Sequence, residues 1–147
     1  MIEREKYPFN VFVPNLLNVC IDGYEHEEMN GRIYHCYKNE PVCFHNIVEL
    51  IKEAERLFDL ISFPQASTKT RQFFDKETVQ AKKPEKVLSH EEVLSFKGKQ
   101  RSVLLSVRFR QNSTWQGEFY CEDTGILVRF TNIMDFIKKI DEIKPQL

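Results

Sequence analysis

The 147-residue chain is 41% hydrophobic and 29% charged, with a formal net charge of −1, which excludes a disordered or fibrous class and suits a folded domain with one buried core. No apolar run approaches the roughly 18 residues needed to span a bilayer, and Met1-Ile-Glu-Arg-Glu-Lys6 lacks the apolar stretch of a secretion signal. The four cysteines (Cys20, Cys36, Cys43 and Cys121) have no C-x-x-C spacing, so reduced thiols, a cytoplasmic location and no membrane partner are expected.

Charge is unevenly spread. Residues 1–60 are acidic (net −5), residues 61–110 basic (net +6) and the remainder slightly acidic (net −2). A basic middle can steer an anionic partner, but its lysines and arginines are scattered, as on a solvated connector.

The first predicted element is Leu17-Asn-Val-Cys-Ile21, whose alternation of apolar and polar residues predicts a half-buried strand. An acidic loop follows (Glu25, His26, Glu27, Glu28), read as solvated. Gly31 then opens a hairpin bending at Lys38-Asn-Glu-Pro41, where Asn and Pro favour a tight turn. Asn46, with Glu49 three residues on, predicts a helix cap, and Leu50, Ile51, Ala54, Leu57 and Phe58 form the apolar stripe of that helix.

Residues 61–101 form a basic, partly helical connector. Ser89-His-Glu-Glu-Val-Leu-Ser-Phe96 predicts a short capped helix, and Phe63, Phe73 and Phe74 are expected to dock the connector on the core.

The same pattern then recurs at an offset of 86 residues. Gly31 to Ile51 aligns without a gap to Gly117 to Ile137, with identities that include Tyr34/Tyr120, Phe44/Phe130, Asn46/Asn132 and Ile47/Ile133. Val103-Leu-Leu-Ser-Val-Arg-Phe109 matches the first strand, Asp123-Thr-Gly125 the hairpin bend, and Asn132 with Asp135 the cap. The predicted fold is α+β: two diverged β-β-β-α repeats (1–60 and 102–147) forming a mainly antiparallel sheet packed against helices.

Candidate chemistry is sparse. With a bend between Asn39 and Glu40, Cys36 would oppose Cys43 and share a face with His45, three donors that could bind zinc given a fourth ligand. The equivalent positions in the second repeat are Glu122, Arg129 and Thr131, read as an exposed cross-strand ion pair beside a polar residue, so no metal or cofactor is assigned. His35 reads as a buried, satisfied histidine. Trp115 aligns with Met29; its preferred reading is packing across the sheet, with partner anchoring as the alternative. Trp115, Met29, Arg110, Lys69 and Arg71 are the candidate partner-contacting residues. The absence of a phosphate-binding glycine loop, G-x-S-x-G, H-E-x-x-H or an EF-hand loop argues against an enzyme.

Two runs, Arg110-Gln-Asn-Ser-Thr-Trp-Gln-Gly-Glu-Phe119 and Leu57-Phe-Asp-Leu-Ile-Ser-Phe-Pro-Gln-Ala-Ser-Thr-Lys-Thr-Arg-Gln-Phe73, are similar to segments of a group of small uncharacterised Firmicutes proteins with a Ser-Trp-Gln-Gly motif. The resemblance implies a bacterial origin and carries no activity. The expected function is therefore a non-enzymatic binding or adaptor protein, monomeric or homodimeric, for an unknown protein or small ligand. Its working surface would be the exposed sheet face or the loops around Met29 and Trp115. The alternatives are nucleic-acid binding through the basic connector, which is not favoured, and a phage- or mobile-element-encoded inhibitor or ligand-sequestering protein.

Overall fold

A computed structural model of the chain describes residues 7–64, 84–111 and 114–145. Strands β1 (Leu17–Glu25), β2 (Glu28–Tyr34) and β3 (Val42–Phe44) lead into helix α1 (Ile47–Ile61). A short helix α2 (His90–Leu94) precedes β4 (Arg101–Gln111), β5 (Thr114–Cys121) and β6 (Ile126–Phe130), and helix α3 (Ile133–Asp141) follows. The expected α+β class is found, with the first helix ending at Ile61 and the fourth strand starting at Arg101.

All six strands join one antiparallel sheet in the order β3-β2-β1-β4-β5-β6. Its centre is the pairing of β1 with β4, in which Leu17 opposes Leu105 and Val19 opposes Val103. On one face these four residues, with Ile21, Ile33 and Phe119, are buried against Leu50, Ala54, Leu57 and Phe58 of α1 and Phe136 and Ile140 of α3. The helices stay helical because their apolar positions fall on one stripe. Both are capped as predicted, Asn46 Oδ1 accepting from Glu49 N at 2.9 Å and Asn132 Oδ1 from Asp135 N at 2.7 Å. The returning carboxylate arms accept one residue earlier than in a standard capping box, from His45 N (2.7 Å) and Thr131 N (3.0 Å).

The second sheet face corrects the sequence reading. β1 and β4 are not half-buried, and the central sheet face is not exposed. Residues 7–16 and α2 cover it, burying Tyr7, Phe9, Val11, Leu16, Val93 and Leu94 against Cys20, Tyr34 and Leu104. Burial on both faces is why Val103-Leu-Leu in β4 is continuously apolar. Asn18, fully buried in β1, ties the cover down by donating from Nδ2 to the carbonyls of Val93 (2.7 Å) and Phe96 (2.9 Å). Of the connector aromatics, Phe63 is 40% exposed, and Phe73 and Phe74 lie outside the described residues.

A β-bulge interrupts each long strand 86 residues apart, at Asp22 in β1 and at Arg108 in β4. Opposite them stand Gly31 and Gly117, where a Cβ would lie 2.0 Å from the carbonyl oxygens of Cys20 and Ser106 respectively. Only glycine permits that approach. Each bulge residue also makes a two-pronged ion pair to the neighbouring strand, with the charges reversed: Asp22 accepts from Arg32 (2.8 and 3.0 Å), whereas Arg108 donates to Glu118 (2.7 and 3.0 Å). The β1–β2 turn places both His26 (φ 53°) and Glu27 (φ 67°) in the left-handed region, the backbone of a two-residue type I′ hairpin made without its usual Asn-Gly. No helix among the described residues is long and apolar enough to cross a membrane.

Two predictions follow from this architecture. Gly31→Ala and Gly117→Ala should each cost about 2–3 kcal/mol, because backbone must move; Gly23→Ala, whose nearest neighbour is a side chain at 3.6 Å, should be neutral or slightly stabilising. Urea unfolding of the three variants checks this, and equal losses at all three sites would refute it.

His35 is 8% exposed, its Nδ1 accepts from Tyr37 N at 3.1 Å, and burial, helped by Lys38, holds its pKa down at about 4. In the unfolded chain it binds a proton near pH 6.5. Its contribution is therefore complete above pH 6.5 and lost as the pH falls towards 4. Unfolding at pH 7 and pH 5 should differ by roughly 2 kcal/mol more in the wild type than in His35→Gln; an identical pH dependence in the two proteins would contradict the assignment.

Candidate functional site

The structure disperses the Cys36, Cys43 and His45 set. The predicted tight bend is a longer loop, because β2–β3 pairing ends at Ile33 opposite Val42, so Arg32 and not Cys36 opposes Cys43. Cys36 is buried past the end of β2, where its carbonyl accepts from Val87 N (2.7 Å) and Leu88 N (3.0 Å) and docks the connector. Cys43 is exposed, and His45 hydrogen-bonds Glu49 Oε1 through Nδ1 at 2.9 Å. Among the described residues no group of three His, Cys, Asp or Glu is placed to hold a metal. The pair expected between Glu122 and Arg129 is also rearranged: Arg129 approaches Glu118 at 3.9 Å, and Lys97 bridges Glu122 at 3.0 Å.

The candidate contact residues fare similarly. Lys69 and Arg71 lie outside the described residues. Trp115 is fully buried between Phe58 and Phe136 and Arg110 is 7% exposed, so neither stands out as a contact surface, while Met29, 5% exposed, reaches the surface only at the bottom of a cleft. Trp115 and Arg110 are buried because α1 crosses the end of the β4–β5 hairpin. Glu55 on α1 accepts the Trp115 Nε1–H with one oxygen and Arg110 with the other (2.9 Å), while Asp59 and the Pro64 carbonyl take further guanidinium donors (2.7 and 2.8 Å). A buried guanidinium needs acceptors of this kind to offset its desolvation. The other two arginines of β4 are also engaged, Arg101 donating to the Ile143 carbonyl at 2.8 Å and Arg108 to Glu118. These parts of the basic middle are thereby held by the fold.

A recess that sequence reasoning missed lies where the bulged part of β4 meets the N-terminal cover. It measures about 280 Å³ and is walled by Phe9, Val13 and Asn15 from the cover, by Phe63 beyond α1, and by Ser106 and Arg108 of β4. Asn15 is 1% exposed. Its Nδ2 donates to the Val107 carbonyl at 2.9 Å, and its Oδ1 is a buried acceptor with no partner. An unpaired buried acceptor costs about 1–3 kcal/mol, so it is an uncommon feature of a folded core. Two aromatic rings, a hydroxyl and a guanidinium already paired with Glu118 line the recess together with Asn15. The one sequence hint was a polar residue, Asn15, directly before the apolar Leu16-Leu17.

No protein-family profile matches the chain, and no match was found among the curated proteins or the solved structures. The reading of this site therefore stands on its geometry.

The Glu55 cluster gives a stability test. Glu55→Ala removes the acceptor shared by a buried guanidinium and an indole N–H, and should cost about 2–3 kcal/mol in chemical denaturation, with Asp59 retaining part of the pairing. A cost under about 0.5 kcal/mol, the range of ordinary surface substitutions, would show that the cluster is dispensable.

Proposed function

We propose that this chain is a non-enzymatic binding protein whose site is the recess between the N-terminal cover and the β4 bulge, and whose ligand is a small planar ring carrying an N–H donor. The observation that carries the reading is the partnerless Oδ1 of Asn15, buried at a recess flanked by Phe9 and Phe63. The two aromatic side chains offer apolar surface to a flat ligand, and Asn15 brings one unsatisfied acceptor to the recess wall. Because Glu118 already occupies Arg108, the recess favours a neutral ligand over an anion. A volume of about 280 Å³ holds one ring system, being just below the roughly 300 Å³ at which pockets for larger drug-sized ligands begin.

The two halves are proposed to descend from one duplicated β-β-β-α unit. Their 86-residue self-match, the equivalent bulges with facing glycines and the equivalent asparagine caps support this. The bacterial, cytoplasmic setting implied by the Firmicutes resemblance belongs to the same proposal.

Adenine is a suitable first probe, since it is neutral, planar and rich in N–H donors. Titrated into ¹⁵N-labelled protein, it should shift the Asn15 side-chain amide and the backbone signals of Phe63 and Ser106. Asn15→Leu should abolish these shifts with the melting temperature monitored in parallel, and Phe63→Ala, at a part-exposed site, should weaken them. Undisturbed signals at all three residues, or equal shifts in both variants, would remove the recess as the site.

A further inference from the structure

The two halves differ at one place on the helix-covered face. In the second half, Trp115 fills the space between the helices and gives its indole N–H to Glu55. The positions 86 residues earlier, or later, carry Met29 in place of Trp115 and Asp141 in place of Glu55. Where the first half has the thinner side chain, the structure has an open cleft of about 250 Å³. Its floor is apolar, made by Met29 of β2, Ile47 at the start of α1, and Ile137 and Ile140 of α3. Three carboxylates stand at its walls, Glu27, Glu28 and Asp141, against one ammonium, Lys138.

The cleft thus has the place, the apolar lining and the acceptor carboxylate of the Trp115 site, without the tryptophan. We infer that it is a second binding site, distinct from the Asn15 recess, for a small aromatic ammonium compound: a flat ring of indole size that lies on Met29 and the isoleucines, with its N–H or ammonium group on the carboxylates. Charge chooses between occupants. A surplus of two negative charges at the wall disfavours an aromatic acid of the same size and favours the amine, and an N–H donor to Asp141 reproduces the contact that Trp115 makes to Glu55. The apolar floor supplies the affinity that exposed charges by themselves do not.

Tryptamine and indole-3-acetate, which share the ring and differ in charge, form the test. In a heteronuclear NMR titration of the full chain, tryptamine should move the signals of Met29, Ile47, Ile137 and Ile140, and indole-3-acetate at the same concentration should leave them in place. Met29→Trp, which rebuilds the second half's arrangement in the first, should abolish the response. Asp141→Asn, at an exposed position with the fold unaffected, should weaken tryptamine binding at least fivefold. Equal binding of the acid and the amine, shifts confined to other regions, or full tryptamine affinity in Asp141→Asn would each overturn the inference. Adenine shifts at Asn15 report on the other recess, so failure of one site is distinguishable from failure of the other.

Discussion

The antiparallel pairing of β1 with β4 is the contact on which the rest of the molecule depends. Each half by itself offers a three-stranded sheet with one helix, a small apolar surface with a central strand left as an open edge. Pairing Leu17 with Leu105 and Val19 with Val103 closes that edge and places both helices over one continuous apolar layer. It also brings Cys20 and Leu104 together on the opposite face, which then has to be covered. Residues 7–16 and α2 do this, and the buried amide of Asn18 holds α2 in place. The cover creates the Asn15 recess along its junction with β4, so the candidate site follows from the way the halves join.

Buried polar groups in this fold divide into two kinds. Asn18, Arg110 and Glu118 are almost wholly enclosed, yet each is matched by acceptors or donors at hydrogen-bond distance. Their desolvation is offset locally, and they specify how elements meet. Asn15 is different, because only its amide nitrogen is matched. Among the described residues the Tyr24 hydroxyl is the other buried polar atom without a partner, and only Asn15 lines the recess.

Differences between the halves are more informative than their similarities. Gly31 and Gly117, the bulges and the asparagine caps occupy equivalent places. The side chains against the helices do not: Trp115 and Arg110 of the second half close on Glu55 from the first, whereas the equivalent positions, Met29 of the first half and Asp141 of the second, line an open cleft. At the bulges the ion pairs keep their geometry and exchange their signs. Backbone constraints are shared by the two halves, while side chains that answer only to volume or charge balance differ between them.

Local signals were legible in the sequence. Asn46 and Asn132 marked the helix starts, Ser89 the short helix, Asp123-Thr-Gly125 a turn, and the apolar stripes the core faces, because caps, turns and periodicity depend on residues within a few positions of one another. Trp115 was legible as a packing residue, but its partner was not, since Glu55 lies 60 residues away and meets it only when α1 crosses the β4–β5 hairpin. The hairpin register that separates Cys36 from Cys43 was equally out of reach: a shift of register reassigns every cross-strand neighbour without changing the composition of either strand. The Asn15 recess and the Met29 cleft were decided by tertiary structure, because each is assembled from segments distant in the chain, and an open volume is set by the packing around it and by no residue within it.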